Sequence, residues 1–450
     1  MDSLDSKYQD TLDYLYSFID FSMKRHVDDT HRFFKLDRML KMTTLMGNPE
    51  QKFPSVHIAG TKGKGSTASF ISHALYEAGY KVGIYTSPHL VEFTERIQIN
   101  FEQISPADIV RITDLMRPYI EQIKEITTFE LTTALAFQYF AEKEIDIAVL
   151  EVGLGGRLDA TNVITPEVAV ITSISYDHTT VLGNTLTEIA FEKGGIIKPK
   201  QPVVVAPQQM EAARELEKIA LERQSPLVSV SRDYSFESVS HTHKTQTIVV
   251  EEKKPSHKNH IASQPLELKL PLLGFHQVQN AVTAVAALEV LRQQGWHISR
   301  TSVKQGFKSV IWPTRFEILR DNPPIVLDSA HNGDSMEHLK NTLDEYYPGV
   351  DFLFVFGASG DKELEAMLHA ILPRVSQVIT TQSIHPRAKG AEELRRIVEP
   401  FGVPVLACSP AEAAMSKSLE MAGESKGILV SGSMFIASAA RVIFKQYGIY

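Results

Sequence analysis

Apolar and polar residues alternate along this chain with two different periods, and the changes of period lay out its elements. Residues 4 to 24 place Leu4, Tyr8, Leu12, Leu15, Phe18, Ile19 and Met23 at helical spacing, which predicts an amphipathic helix against the core. A second helix begins at Phe34-Lys-Leu-Asp-Arg38-Met-Leu and stops near Gly47-Asn-Pro. Short, mainly apolar runs then predict strands at 55–59, 82–85, 145–150, 168–174 and 203–206. Helical patterns fall between them: from Ser66, over 106–124, over 129–143 with Glu130 in the first turn, and through Glu188, Glu192 and Lys193. Strands that are apolar throughout and separated by helices predict a parallel sheet covered on both faces.

Residues 231–265 break this rhythm with a Lys- and His-rich stretch, expected as short antiparallel strands and a solvated loop. Its histidines, His241, His243, His257 and His260, suggest metal binding, but no cysteine accompanies them and the segment's strand-and-loop pattern argues against it. An alanine-rich helix opens at Gly274-Phe-His-Gln-Val-Gln-Asn280 and runs to Leu291. Further strands at 325–328, 352–356, 378–381, 403–407 and 427–430 predict a second, smaller α/β domain. The expected division is residues 1–297, a hinge over 298–312, and residues 313–450.

In open parallel sheets, ligands bind beyond the carboxyl ends of the strands. The unusual residues of the first half fall there: Gly60 to Ser66, Ser87, Glu151 and His178 each follow an apolar strand. In the second half the same is true of Asp328-Ser-Ala-His331-Asn, Asp361-Lys362, His385-Pro-Arg387 and Ser431-Gly-Ser-Met. Two such edges facing each other across a hinge would form one closed site.

The stretch His57-Ile-Ala-Gly-Thr-Lys-Gly-Lys-Gly-Ser-Thr67 carries the strongest chemistry. Strand, glycine turn and helix in that order make a phosphate loop, with backbone amides and a helix N-terminus directed at one anion. Lys64 would meet the terminal phosphates, and Ser66 or Thr67 would offer a hydroxyl to phosphate or Mg²⁺. Here a glycine separates the lysine from the serine, unlike the common G-x-x-x-x-G-K-[ST] form. Other positions admit simpler roles. Ser87 could cap a helix with Pro88 at its first position, Lys193 could pair with Glu188 or Glu192, Arg38 could be a solvated helix residue, and His178 could only fix its loop.

Composition narrows the partners. A chain of 450 residues, 43% apolar and 22% charged, predicts a folded protein of two or three domains. A net charge of -8 without a long basic tract argues against nucleic acid. The one cysteine, Cys408, is expected in the strand at 403–407; it excludes an internal disulfide and fits a reducing compartment. With no membrane-length apolar run and an acidic start, the cytoplasm is the expected location and a membrane is not a partner.

The motifs Gly-Thr-Lys-Gly-Lys-Gly-Ser-Thr, Thr-Ser-Pro-His-Leu, Thr-Phe-Glu, Glu-Val-Gly-Leu-Gly-Gly-Arg-Leu-Asp-Ala-Thr-Asn, Asp-His, Glu-Lys-Gly-Gly, Gly-Phe-His-Gln-Val-Gln-Asn-Ala, Trp-Pro-Thr-Arg-Phe-Glu, Leu-Asp-Ser-Ala-His-Asn and Ser-Gly-Ser-Met occur in this order. Together they resemble the folylpolyglutamate synthase and dihydrofolate synthase family of the Mur ligase superfamily. The resemblance implies an α/β fold: a P-loop, Mur-ligase-like parallel-sheet ATPase domain followed by a smaller Rossmann-like α/β domain. It implies an ATP-dependent ligase that adds L-glutamate to a folate or to dihydropteroate through an acyl phosphate, acting as a monomer.

Carried over by position, the resemblance places ATP on Gly60, Thr61, Lys62, Gly63, Lys64, Gly65, Ser66, Asn280, Arg315 and Asp328. Mg²⁺, at two sites, would lie on Ser87, Glu151, His178 and a carbamylated Lys193, with K⁺ a further candidate ion. Lys64, Lys193, His178 and His331 would be catalytic. The pterin end of the substrate would meet Leu36, Asp37, Arg38, Thr127, Thr128, Phe129, Glu130, Leu158, Asp159 and Ala160. Thr314, Gly194 and Gly333 stand where Gly, Ala and Pro are usual. A dihydrofolate synthase alone, another Mur-type ligase, or a nucleotide-hydrolysing switch are the alternatives.

Overall fold

A computed structural model of the protein describes residues 3–19, 35–255, 260–360 and 363–449. Met23, Phe34, His257, Asp361 and Lys362, and so part of the first two expected helices, lie outside the described residues. The helix begun by Leu4 spans Ser3–Tyr16, and the second spans Asp37–Leu45.

The first half is built on eight strands: β1 (Ser55–Ala59), β2 (Val82–Tyr85), β3 (Ile97–Ile99), β4 (Glu102–Gln103), β5 (Ile147–Glu151), β6 (Val168–Ile171), β7 (Val203–Val205) and β8 (Leu227–Ser229). Their order is β4-β3-β2-β5-β1-β6-β7-β8. From β2 to β8 the pairing is parallel, as expected. The edge departs from that expectation, because β3 pairs antiparallel with both β2 and β4. Asn100 and Phe101 take φ of 51° and 69°, the backbone that lets β3 fold straight back into β4.

Both faces of the sheet are covered. In β5, Ile147 and Val149 join one apolar cluster while Ala148 and Leu150 join another, the period of two that a strand imposes. The first cluster takes in the helices Lys64–Glu77 and Phe275–Gln293; the second takes in Pro106–Ile120 and Thr128–Glu142. The stretch after residue 231 forms an antiparallel sheet of β9 (Tyr234–His241), β10 (Gln246–Glu252) and β11 (Leu266–Leu270). Its histidines take different partners: the His241 ring lies edge-on to Tyr346 at 4.4 Å, and His260 Nδ1 is 2.8 Å from Glu252 Oε2.

The second half carries β12 (Glu317–Asp321), β13 (Pro324–Leu327), β14 (Phe352–Phe356), β15 (Val375–Thr380), β16 (Val405–Ala407) and β17 (Gly427–Ser431), ordered β12-β13-β17-β14-β15-β16. Five are parallel; β12, absent from the sequence-based expectation, joins the edge as a hairpin with β13. Cys408 lies just beyond β16 instead of within it, partly exposed.

The expected hinge is largely ordered structure. Residues Arg300–Lys308 form a helix whose N-cap Ser299 accepts from Ser302 N. Val303 and Phe307, one turn apart, are buried in the first domain's core, with the Phe307 ring 4.8 Å from that of Phe70. Two apolar residues in a nine-residue span are a faint periodic signal.

Candidate active site

β1 lies between β5 and β6, so the loops that leave these three strands emerge side by side, about 5 Å apart. The loop after β1 is the glycine-rich one. Gly63 takes φ +85° as the N-cap of the helix Lys64–Glu77, so this helix starts two residues before Ser66 and Lys64 sits in its first turn. A Cβ at Gly63 would overlap Asn280 Oδ1, which puts the side chain from the helix Phe275–Gln293 directly on the loop. Thr61 N donates to Ser173 O at 2.8 Å, and Thr61 Oγ1 to Ser175 O at 3.1 Å, fixing the loop to the end of β6. Ser66 and Thr67 are buried, and Thr67 Oγ1 has no hydrogen-bond partner among the described residues. The first-turn amides of such a helix lack intrahelical acceptors and suit a phosphate.

Two ammonium groups converge on one carbonyl. Lys193 Nζ donates to Gly60 O at 2.9 Å and Lys64 Nζ donates to the same oxygen at 3.3 Å. Burial, reinforced by the Lys64 charge, pulls the Lys193 ammonium down to about 7. Pairing of Lys193 with Glu188 or Glu192 does not occur. Glu188 caps its own helix at Thr185, and Glu192 holds Arg157 at 2.8 Å. Lys193 occupies the inward face of that helix; Glu192 is the adjacent residue and Glu188 is five positions back, so neither stands at the three- or four-residue spacing that brings side chains together.

Glu151, the last residue of β5, is buried, with Oε1 3.9 Å from Lys64 Nζ. Burial pushes its carboxyl upward, opposed by Lys64. Ser87 N donates to Glu151 Oε2 at 3.4 Å. Ser87 is not a helix cap, because the chain forms no helical turn until Phe93–Arg96. His178 follows Asp177 on the loop after β6, with Nε2 3.9 Å from Asp177 Oδ1. A buried carboxylate at a strand end suits Mg²⁺, which takes one or two protein oxygens and fills its shell with water. Among the described residues no three His, Cys, Asp or Glu side chains cluster as a metal site.

The second domain reaches this edge through the loop after β13. His331 Nδ1 is 2.9 Å from Ser329 O and so carries the ring proton, leaving Nε2 to accept from Lys62 Nζ at 2.8 Å. Lys62 also pairs with Asp177 Oδ2 at 3.1 Å. Asp177 is a site residue missing from the expected set; its place directly before His178, past a strand end, is the signal for it. Arg315 lies between Thr314 and Phe316, whose φ values are 58° and 47°. Asp328, expected beside the ribose, already accepts from Phe316 N at 2.8 Å and Ala330 N at 2.7 Å, and so shapes the turn that carries Arg315.

The residues expected at the pterin end divide in two. Arg38 Nε meets both oxygens of Glu130, at 3.1 and 3.2 Å, so neither is simply solvated. Thr127 and Glu130 cap the helix Thr128–Glu142 reciprocally, and burial pushes the Glu130 carboxyl upward against Arg38. Phe129 lies against Gly153, at the start of the loop from Glu151. Leu36 and Asp37 open the helix that presents Arg38. Thr128 Oγ1 is turned away, donating to Leu15 O at 2.9 Å. Asp159, between half-exposed Leu158 and buried Ala160, is buried with four donors on it: Gly153 N, Leu154 N, Thr161 N and Thr161 Oγ1. It organises the loop and is not turned outward as a substrate contact would be.

Comparison with known proteins gives the chain a family. Residues 58–288 match the Mur ligase middle domain, and residues 314–434 match the Mur ligase glutamate ligase domain. The chain is 35% identical over 398 residues to the dihydrofolate synthase/folylpolyglutamate synthase of Bacillus subtilis, covering 86% of this chain and 88% of that one. It is 32% identical to the folylpolyglutamate synthase of Lacticaseibacillus casei, with coverage of 96% and 98%. Its fold superposes on that of Mycobacterium tuberculosis folylpolyglutamate synthase complexed with ADP with a TM-score of 0.87 at 30% identity, over 98% of this chain and 99% of the other.

Proposed function

The chain belongs to the Mur ligase family, in its folylpolyglutamate and dihydrofolate synthase branch, and on that footing we propose that it uses ATP to join L-glutamate to a folate, with dihydropteroate as a second carboxylate substrate. The observation that carries this is the convergence of Lys64 and Lys193 on the Gly60 carbonyl, with Glu151 3.9 Å from Lys64. A loop that only held a phosphate would not need a second buried lysine and a buried carboxylate.

A carboxylate is a poor electrophile, so its oxygen first takes the terminal phosphoryl group of ATP, and ADP departs. The amine of glutamate then attacks the acyl phosphate, and phosphate leaves from a tetrahedral intermediate. Two anions meet in the first step. Lys64, Arg315 and the first-turn amides of the phosphate-loop helix would neutralise the charge as it develops. Mg²⁺ on Ser87, Glu151 and His178, with a second ion on carbamylated Lys193, would supply further electrostatic stabilisation there. An amine held near pKa 7 is substantially neutral in the cell, which is the state that adds CO₂ to form a carbamate.

His331, at the interdomain face, would act on the glutamate ammonium only once its Nε2 gives up the hydrogen bond it accepts from Lys62. Arg38, Thr127 and Glu130 hold the pterin end. The division of labour follows residues 1–297 and 313–450, whose approach keeps water from the acyl phosphate. Among the described residues no helix is long and apolar enough to cross a membrane; on this reading the enzyme works as a cytoplasmic monomer. The test is phosphate release from ATP with dihydropteroate and tetrahydrofolate offered separately, each with and without glutamate. Release that requires both glutamate and a pteroate is expected; release independent of both would make the protein a nucleotide hydrolase.

A further inference from the structure

The segment that joins the two domains seats an indole on the phosphate loop. Gly65 is the residue that separates Lys64 from Ser66, and it lies in the first turn of the helix Lys64–Glu77. A Cβ there would stand 2.6 Å from Trp312 Cζ2, closer than carbon atoms pack. Trp312 also packs on the apolar cluster of the first domain. Two residues later the chain is fastened to the second domain instead. Ser329 N donates to Thr314 O at 3.0 Å, Ser329 Oγ to Thr314 Oγ1 at 2.8 Å, and Phe316 N to Asp328 Oδ2 at 2.8 Å. Pro313 alone separates an anchor on one domain from an anchor on the other.

We propose that Trp312 is a positioning residue for the ligase reaction: seated on Gly65, its indole sets where Arg315 stands over the phosphate loop. The inserted glycine then has a physical explanation. It makes room for an aromatic ring, so that the loop that binds the triphosphate and the guanidinium that approaches it are registered by one contact. This rests on the reading that Arg315 faces the phosphates. A cation displaced by about 1 Å from developing charge loses much of its effect, and such displacements cost on the order of a hundredfold in rate.

The experiment is steady-state kinetics of the full chain with ATP, a folate and glutamate. Trp312→Ala should lower kcat by about a hundredfold with little change in the KM for folate, and Trp312→Phe should restore most of it. Gly65→Ala should resemble Trp312→Ala, and the double variant should be no worse than Trp312→Ala, because the smaller side chain admits the new methyl. Losses that multiply in the double variant, or an unchanged kcat in Trp312→Ala, would overturn the proposal. Arg315→Ala separates the two levels: an unchanged kcat there removes the reading of Arg315 itself, while a loss at Arg315 with none at Trp312 removes only the role of the indole. A second readout covers variants that fold poorly. The chain has two tryptophans, so in a Trp296→Phe background the emission reports Trp312 alone. A shift on titrating Mg²⁺ and AMPPCP is expected, and constant emission at saturation counts against the proposal.

Discussion

The ammonium of Lys62 donates a 2.8 Å hydrogen bond to Nε2 of His331, tying the phosphate loop of the first domain to the end of β13 in the second. Asp177 supports the same ammonium from the loop after β6. One charge-assisted contact of this kind is worth about 1.5–3 kcal/mol. Lys62→Met and His331→Ala should each lower kcat/KM by about tenfold to a hundredfold. The double variant should lose little more than the worse single one, since both remove the same bond. Steady-state kinetics giving multiplied losses would mean that the two side chains act separately.

Lys193→Ala should lower kcat by two to three orders of magnitude, the scale on which a buried electrostatic group acts. If the lysine works as a carbamate, small carboxylates added to the variant should restore part of the rate. Intact mass measured under native conditions should reveal the CO₂ adduct; full activity without any adduct would falsify carbamylation while leaving the lysine essential.

Asp159→Asn should act on stability first. Four donors surround this buried carboxylate, and an amide turns N–H groups toward some of them at a cost of about 1–3 kcal/mol. Urea unfolding is expected to show that loss. A variant of unchanged stability whose only defect is a raised KM for the pteroate would return Asp159 to the substrate.

Acid should destabilise the first domain through its buried histidines, among them His57 and His73. His57 in β1 and His73 in the helix Lys64–Glu77 are buried, and burial pulls them down to about 3 and about 4. The unfolded chain takes these protons near pH 6.5 while the folded one refuses them. Stability is therefore complete above pH 6.5 and falls as the pH drops toward 4, by up to about 1.4 kcal/mol per pH unit for each histidine. Urea midpoints across that range should show the slope, and His73→Gln should flatten it.

Much of this architecture is legible in the chain. Val56, Ile58 and Ala59 leading into glycines and Lys64 locate β1 and its loop, and all five residues from Ser55 to Ala59 are buried, as a central parallel strand requires. Lys193 is different. Glu188 and Glu192 offer carboxylates on the same helix, and only the rotation of that helix against β1 shows that the lysine faces inward. Asp159 reads as one more polar residue in a glycine loop, yet its four donors come from residues within six positions, a local turn that no periodicity reports. The helix Arg300–Lys308 was obscured by its brevity. Contacts that depend on how the two domains meet, such as Lys62 with His331, leave no mark in either segment alone.

The placement of β1 in the interior of the eight-stranded sheet, flanked by β5 and β6, sets how this protein should fail. Amides of residues 56–59 belong to the part of the ladder that opens only with the whole domain, so they should be among the slowest to exchange with deuterium. The rim, β3 with β4, can fray without disturbing them. On heating, nucleotide recognition should therefore persist until the domain melts as a unit, and damage to the outer hairpin should be tolerated long after it becomes visible to a protease.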